Sequence, residues 1–134
     1  MKSNLIIPEG YKPSLNLKET EKAIKFIKDS FQLSLARELN LARISAPILV
    51  LRKTGINDYL TGKEKPIRFL VSNMNEEAEI VQSLAKWKRV ALADYGFAHG
   101  EGLYTDMNAI RPDEILNNLH SVYVDQWDWE RIIS

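Results

Sequence analysis

The sequence has 134 residues, which is the length of one domain and enough to bury a hydrophobic core. Lys and Arg together number 18, as do Asp and Glu, so a formal net charge of zero gives no electrostatic argument for nucleic acid or an anionic membrane as partner. Cysteine is absent, which excludes disulfides and thiolate metal sites, and no apolar run suits a signal peptide or a membrane span, so the sequence predicts a soluble cytoplasmic protein.

The first predicted element is a helix that follows an irregular stretch at residues 1–15. Asn16 suits the N-cap, Glu19 the matching position of a capping box, and Asn40 the end of the helix. Apolar residues recur every three or four positions along it: Ile24, Ile27, Phe31, Leu35 and Leu39, widened by Phe26 and Leu33. So broad an apolar face predicts either core packing on both sides or a subunit interface, and periodicity does not separate the two.

Strands are predicted after this helix. Residues 42–52 are rich in aliphatic side chains, and Pro47 among them predicts an edge strand or a kink, because proline cannot donate to the ladder. After a polar loop, two short strands are predicted at 67–71 and 78–82, joined as a hairpin.

The C-terminal part predicts a second helix and a pair of strands. The helix covers 84–95, with Ser83 as its cap and Gly96 at its end. Gly100 and Gly102 are predicted to be turn residues. The remaining elements are a strand at 103–111, a turn-rich connection at 112–119 and a last strand at 120–131.

The last strand carries an unusual row of polar side chains. In an extended segment Gln126, Asp128 and Glu130 share one face, which begins with Val122 and Val124. Buried carboxylates are unfavourable unless a cation or a ligand pairs with them. The pattern is typical of the solvated end of an edge strand, which periodicity alone favours, or of a site floor that holds an ammonium or a guanidinium.

Three segments resemble the ammonia-dependent asparagine synthetases, also called aspartate–ammonia ligases: SLAKWKR at 83–89, GEGLYTDMNAIRPDE at 100–114 and HSVYVDQWDWER at 120–131. That family is similar to the catalytic domain of class II aminoacyl-tRNA synthetases. The resemblance implies an α+β fold with an antiparallel sheet flanked by helices. It also implies that residues 1–134 form a single domain, the N-terminal portion of such a catalytic domain, and a homodimer through helix 16–40 and strand 42–52.

The resemblance further implies ATP-dependent amidation of L-aspartate by ammonia through a β-aspartyl-adenylate, giving L-asparagine, AMP and pyrophosphate. Carboxylate and α-phosphate are both negative, so cations must offset their repulsion, and Mg²⁺ would arrive with ATP because no side chains have the spacing of a resident metal site. The implied catalytic residues are Arg111 and Lys88, with Asp113 and Glu114 beside Arg111 at the ATP. The implied substrate-binding residues are Asp58, Lys88, Gln126 and Asp128.

Two departures from the family pattern are visible. The glycine-rich third motif that ends in an arginine, GxGxGxxR, is absent from the sequence, so the resemblance implies a fragment that is inactive alone. Gln82 also stands where this family often has histidine and the synthetases have glutamine. Two alternatives stay open: a non-catalytic truncated paralogue that dimerises or binds aspartate, and, less favoured, a synthetase-like transferase for another amino acid.

Overall fold

A computed structural model describes residues 4–133, and in that range the chain folds into two helices, a short 3₁₀ turn and six strands. The helices are α1 (Leu17–Leu39) and α2 (Ala85–Asp94), and the 3₁₀ turn is Arg52–Thr54. The strands are β1 (Leu41–Arg43), β2 (Leu49–Leu51), β3 (Arg68–Val71), β4 (Glu76–Ile80), β5 (Gly102–Ile110) and β6 (Tyr123–Arg131). The predicted α+β class is confirmed.

The strands form two small sheets among the described residues. One has the order β1-β5-β6, with β1 parallel to β5 and β5 antiparallel to β6. The other has the order β2-β4-β3 and is antiparallel throughout, including the predicted β3–β4 hairpin. The prediction of one antiparallel sheet is therefore wrong: there are two sheets, and the first contains a parallel pair.

The predicted strand at 42–52 is divided between these two sheets. After β1 the amide of Ile44 still bonds to the carbonyl of Tyr104 at 2.9 Å, and before β2 the carbonyl of Ile48 accepts from the amide of Val81 at 3.0 Å. Pro47 lies in the gap, where its lack of an N–H does not interrupt a ladder. A single strand over this range was thus a wrong prediction, whereas the kink predicted at Pro47 is observed.

Helix α1 begins and ends where the sequence predicts. The side chain of Asn16 accepts from the amide of Glu19 at 3.0 Å, and the carboxylate of Glu19 accepts from the amide of Asn16 at 3.0 Å, which completes the capping box. Asn40 ends the helix in the left-handed conformation, with φ +54°.

Helix α2 differs slightly from its prediction at the first turn. Leu84 and not Ser83 occupies the N-cap, although the Ser83 hydroxyl accepts from the amide of Ala85 at 3.3 Å. Gly96 follows the last turn with φ +69°, as a helix-ending glycine does.

The core lies between α2 and the β5–β6 hairpin. Two clusters of buried apolar side chains fill it: Val81, Leu84, Met107 and Ala109 in one, and Ala91, Leu92 and Leu103 in the other. Trp87 of α2 packs against both clusters, so it joins them into one continuous core.

Helix α1 is attached to the reverse side of the hairpin by a few contacts. The ring of Phe31 lies 5.2 Å from that of Trp127, and the ammonium of Lys28 is 3.0 Å from the carboxylate of Asp125. Its other apolar side chains remain largely uncovered, with exposures of 45 % for Ile24 and 72 % for Phe26. The choice between core packing and a subunit interface for this face stays a prediction.

Gly102 is not the turn residue that the sequence predicts but the first residue of β5. A Cβ at this position would lie 2.3 Å from the carbonyl oxygen of Glu130, 2.7 Å from the side chain of Leu41 and 2.8 Å from the Cα of Arg131. Only glycine lets β1, β5 and β6 approach this closely.

Gly102→Ala is therefore expected to lower the free energy of unfolding by about 3 kcal/mol or more, because two of the three clashes are with backbone. Chemical denaturation of the chain measures this. Gly62→Ala is the matched control: its Cβ would meet open space, so only its left-handed φ of +85° acts, at roughly 1–2 kcal/mol. Equal losses for the two variants would contradict the packing argument.

No helix within residues 4–133 combines the length and the apolar character needed to cross a membrane.

Candidate functional site

The β5–β6 hairpin forms the floor of the candidate site. Its register pairs Met107 with Gln126 and Thr105 with Asp128, so these four side chains share one face of the sheet. Helix α2 lies over this face, where Lys88 reaches the polar end of the row. Both predicted strands are observed and they pair as a hairpin, although β6 begins at Tyr123 and not at His120.

Lys88 is buried and meets carboxylates of β6. Its ammonium donates to the carboxylate of Asp128 and to the carbonyl oxygen of Trp129 at 3.0 Å, and it lies 3.6 Å from the carboxylate of Glu130. The guanidinium of Arg89 is 4.0 Å from the same Glu130. The acidic row of β6 is thus paired with cations from α2, and 21 % of the Asp128 side chain remains open to solvent and to a ligand.

A cleft of about 690 Å³ lies at the other end of the hairpin. Arg111, just after β5, lines it together with Asp113 and Glu114. The loop that precedes β3 forms the opposite wall, and the amide of Lys65 in that loop donates to the carboxylate of Asp113 at 3.0 Å. Cationic and anionic side chains therefore face one another across a space large enough for a small organic ligand.

Two buried polar groups in this cleft have no hydrogen-bond partner among residues 4–133. Both atoms of the Gln82 amide are unpaired although the residue is only 1 % exposed, and the Nε of Arg111 is unpaired as well. A buried donor or acceptor without a partner costs about 1–3 kcal/mol. A ligand that accepts from Arg111 and bonds to the amide of Gln82 would recover that free energy.

Asp58 lies in the loop between the 3₁₀ turn and β3, with a half-buried side chain. Its carboxylate forms no hydrogen bond or ion pair within the part of the chain that the structure describes. The residues on either side of it are bound firmly: Asn57 donates to the carboxylate of Glu79 at 3.0 Å, and the Tyr59 hydroxyl donates to the same carboxylate at 2.8 Å.

Glu79 is fully buried on β4, at 0 % exposure, yet it is charged at neutral pH. Burial pushes the pKa of its carboxyl up, but the hydrogen bonds from Tyr59, Asn57 and Arg68 outweigh burial and hold the pKa below its ordinary value. The pKa of Tyr59 is raised, first by burial and then by its hydrogen bond to Glu79. The guanidinium of Arg68, 2.8 Å away, supplies the compensating charge.

The structure places the predicted site residues in two groups. Arg111, Asp113 and Glu114 line the cleft, whereas Lys88 and Asp128 are in direct contact 40 positions apart in sequence. The two groups share one hairpin face, but no hydrogen bond or ion pair joins them among residues 4–133, because Arg111 lies six positions along the chain from Thr105, the partner of Asp128, which is about 20 Å between backbone positions of an extended strand.

Gln126 lies on the same face between the two groups, with its amide 3.4 Å from the sulfur of Met107. Asp58 forms no hydrogen bond or ion pair with either group within residues 4–133 and does not line the cleft. Trp127 lies on the reverse side of the sheet, where it packs against Phe31.

Sequence reasoning missed Glu79 and gave no role to Gln82. Glu79 shares its strand face with Val81, and a carboxylate beside a buried aliphatic residue was the only signal available. The strand also carries Glu76 and Glu77, which form surface ion pairs with Lys53 and Arg52, so composition did not single out the buried one.

The profile of the aspartate-ammonia ligase family matches residues 18–134. Among curated proteins, the aspartate–ammonia ligase of Ruminiclostridium cellulolyticum is 63 % identical over 132 residues, which is 98 % of this chain and 39 % of that protein.

Two further relatives give the same result. The aspartate–ammonia ligase of Lactiplantibacillus plantarum is 59 % identical over 98 % of the chain and 41 % of its own length. That of Bacteroides thetaiotaomicron is 59 % identical over 98 % of the chain and 39 % of its own length. The chain thus spans about two-fifths of the length of the curated relatives it matches.

Proposed function

The chain belongs to the aspartate–ammonia ligase family, and from this premise we propose that it supplies part of the site for ATP-dependent amidation of L-aspartate by ammonia. The reaction would pass through a β-aspartyl-adenylate and give L-asparagine, AMP and pyrophosphate. The observation that carries the proposal is the match of nearly the whole chain to ligases that bear this name, at about 60 % identity.

Lys88 and Asp128 would hold the amino acid. A free amino acid carries an ammonium and a carboxylate close together, and a lysine–aspartate pair presents the opposite charges at similar spacing. Asp128, the more exposed of the two, is suited to the substrate ammonium, and Lys88 to a substrate carboxylate. Gln126 on the same face and Asp58 from the loop would add an amide and a second carboxylate.

Arg111 would act at the phosphate. Activation brings a carboxylate oxygen against the α-phosphate, and a planar guanidinium can bond to both groups in a bidentate manner. Its unpaired Nε inside the cleft supports this role. Mg²⁺ entering with ATP would supply further positive charge, and Asp113 and Glu114 are the carboxylates of this cleft that suit such an ion.

We extend the proposal to architecture and setting. Residues 1–134 would form the N-terminal portion of a single catalytic domain of the class II synthetase type. The uncovered apolar face of α1, together with the 42–52 segment, would form a homodimer interface, because a face this apolar is stabilised when a partner excludes water from it. A cytoplasmic location is proposed because ATP and aspartate are there.

A chimera tests the proposed function. Residues 1–134 replace the matching segment of the R. cellulolyticum relative, and the product is assayed with aspartate, ammonia and ATP. We expect asparagine, AMP and pyrophosphate in equal amounts. A chimera that folds but forms no asparagine would contradict the proposal and favour the non-catalytic alternative, whereas formation of ADP and phosphate would contradict the adenylate route.

A further inference from the structure

We propose that Glu79 is a positioning residue that fixes Asp58 for the amino-acid substrate, by anchoring the residues on both sides of it. The inference rests on the proposed function for the role of Asp58. It assigns a task to a buried carboxylate that neither the family resemblance nor the reaction itself requires.

The first argument is the direction of the hydrogen bonds. Asn57 and Tyr59 both donate to the Glu79 carboxylate, at 3.0 Å and 2.8 Å, although they flank a residue that makes no such bond. Asn57 lies at a bend of this loop, and because the side chains before and after Asp58 both end at the Glu79 carboxylate, the backbone that carries Asp58 is fixed at two points while its own carboxylate is not engaged by Glu79. Asp58 is thereby held in place and left available.

The second argument is that the same anchor reaches the cleft. The side-chain nitrogen of Asn57 also donates to the carbonyl oxygen of Ile80 at 3.2 Å, and its side-chain oxygen accepts from the backbone N–H of Gln82 at 3.1 Å. The side-chain amide of the same Gln82 is the buried group that has no partner in the cleft among residues 4–133. Glu79 and Asn57 therefore fix the position of the Asp58 loop relative to a wall of the proposed site.

The third argument concerns energetics. A charged carboxylate at 0 % exposure is unfavourable by several kcal/mol unless it is paired and hydrogen-bonded. An apolar side chain at this position would pack beside Val81 without that requirement. The carboxylate instead provides directional hydrogen bonds to a loop that contains glycine and few apolar residues.

The test uses the chimera described above, with two variants of the anchor. Glu79→Gln keeps the shape and removes the charge, and Tyr59→Phe removes one donor with little risk to folding. Each is expected to raise KM for aspartate, by about tenfold for Glu79→Gln and less for Tyr59→Phe, while KM for ATP changes less than about twofold. Glu77→Gln, at an exposed position two residues away on the same strand, where the carboxylate pairs with Arg52, is the matched control and should change neither constant.

Coupling to Asp58 separates positioning from general destabilisation. Asp58→Asn alone should raise KM for aspartate, and adding Glu79→Gln or Tyr59→Phe to it should have no further effect, because the anchor acts through Asp58. Additive effects, equal changes in both KM values, or an unchanged KM for aspartate would each overturn the inference.

Failure of the proposed function is recognised separately. If the chimera with the unaltered sequence forms no asparagine, hydrogen exchange of the peptide covering residues 56–60 is compared in the chain itself. Faster exchange in Tyr59→Phe than in Glu77→Gln would support the anchor, and equal exchange would overturn it.

Discussion

Replacing Arg111 by lysine is expected to reduce kcat for asparagine formation by about 100-fold or more, with a change of less than about threefold in KM for aspartate. The charge is retained in this variant, so a simple electrostatic role would be largely preserved. The planar pair of donors is lost, and a lysine ammonium cannot bridge a carboxylate oxygen and a phosphate oxygen in the same geometry.

The structure explains why Arg111 suits this position. Its amide donates to the carbonyl of Val122 at 2.8 Å, so the hairpin fixes its backbone at the mouth of the cleft. Its Nε is buried and, within residues 4–133, has no partner to leave before a ligand arrives. Preorganised donors of this kind stabilise charge that develops during reaction and add little to ground-state binding.

The measurement uses the chimera and two assays. Aspartate-dependent exchange of pyrophosphate into ATP reports adenylate formation, and steady-state kinetics give kcat and KM. Arg89→Lys is the matched control, because the Arg89 side chain is 75 % exposed on α2 and its guanidinium lies 4.0 Å from the carboxylate of Glu130, at the limit of an ion pair. Equal exchange rates for Arg111→Lys and the unaltered chimera would remove Arg111 from the proposed role.

The polypeptide of residues 1–134 assayed alone is expected to form no detectable asparagine, whereas the chimera does. The chain spans 39 % of the R. cellulolyticum ligase, so the groups that the rest of such a protein contributes are missing from the assay. The cationic side chains that line the described cleft are few, namely Arg111 from the hairpin and Lys63 and Lys65 from the loop before β3. Charge on a triphosphate needs compensation from several directions.

A binding experiment makes this second prediction informative. The isolated chain and the chimera are compared at equal concentration for turnover and for aspartate binding by calorimetry. Loss of turnover with weak aspartate binding retained would place the substrate groups in this chain and the missing chemistry elsewhere. Turnover by the isolated chain at a rate near that of the chimera would contradict the prediction.

Local features of the fold could be predicted because local physics decides them. The capping box of Asn16 and Glu19, the left-handed Asn40 and the glycine after α2 are each set by a few adjacent residues. The division of 42–52 between two sheets could not be predicted, because it depends on which distant strands offer partners. β1 pairs with β5 and β2 pairs with β4, and the residues of the 42–52 segment do not by themselves determine either pairing.

The candidate site, like the fold, could be predicted where adjacent residues decide the structure and not where distant segments do. Periodicity correctly put Gln126, Asp128 and Glu130 on one face of β6, and the structure adds that α2 supplies Lys88 to that face. The alternation of polar and apolar residues alone favoured a solvent-exposed position for those acids, because the pattern of one strand carries no information about a helix that packs on it. Glu79 was missed because the same strand carries two other glutamates, Glu76 and Glu77, which form surface ion pairs, so composition did not distinguish the buried one.

The three tryptophans occupy three different surroundings, which gives the chain built-in optical reporters. Trp87 sits between the two apolar clusters, Trp127 stacks near Phe31 of α1, and Trp129 is 45 % exposed. Indole emission moves to longer wavelength as water gains access to the ring. Single-tryptophan variants of the protein would therefore distinguish unfolding of the core from detachment of α1 by the wavelength of maximum emission.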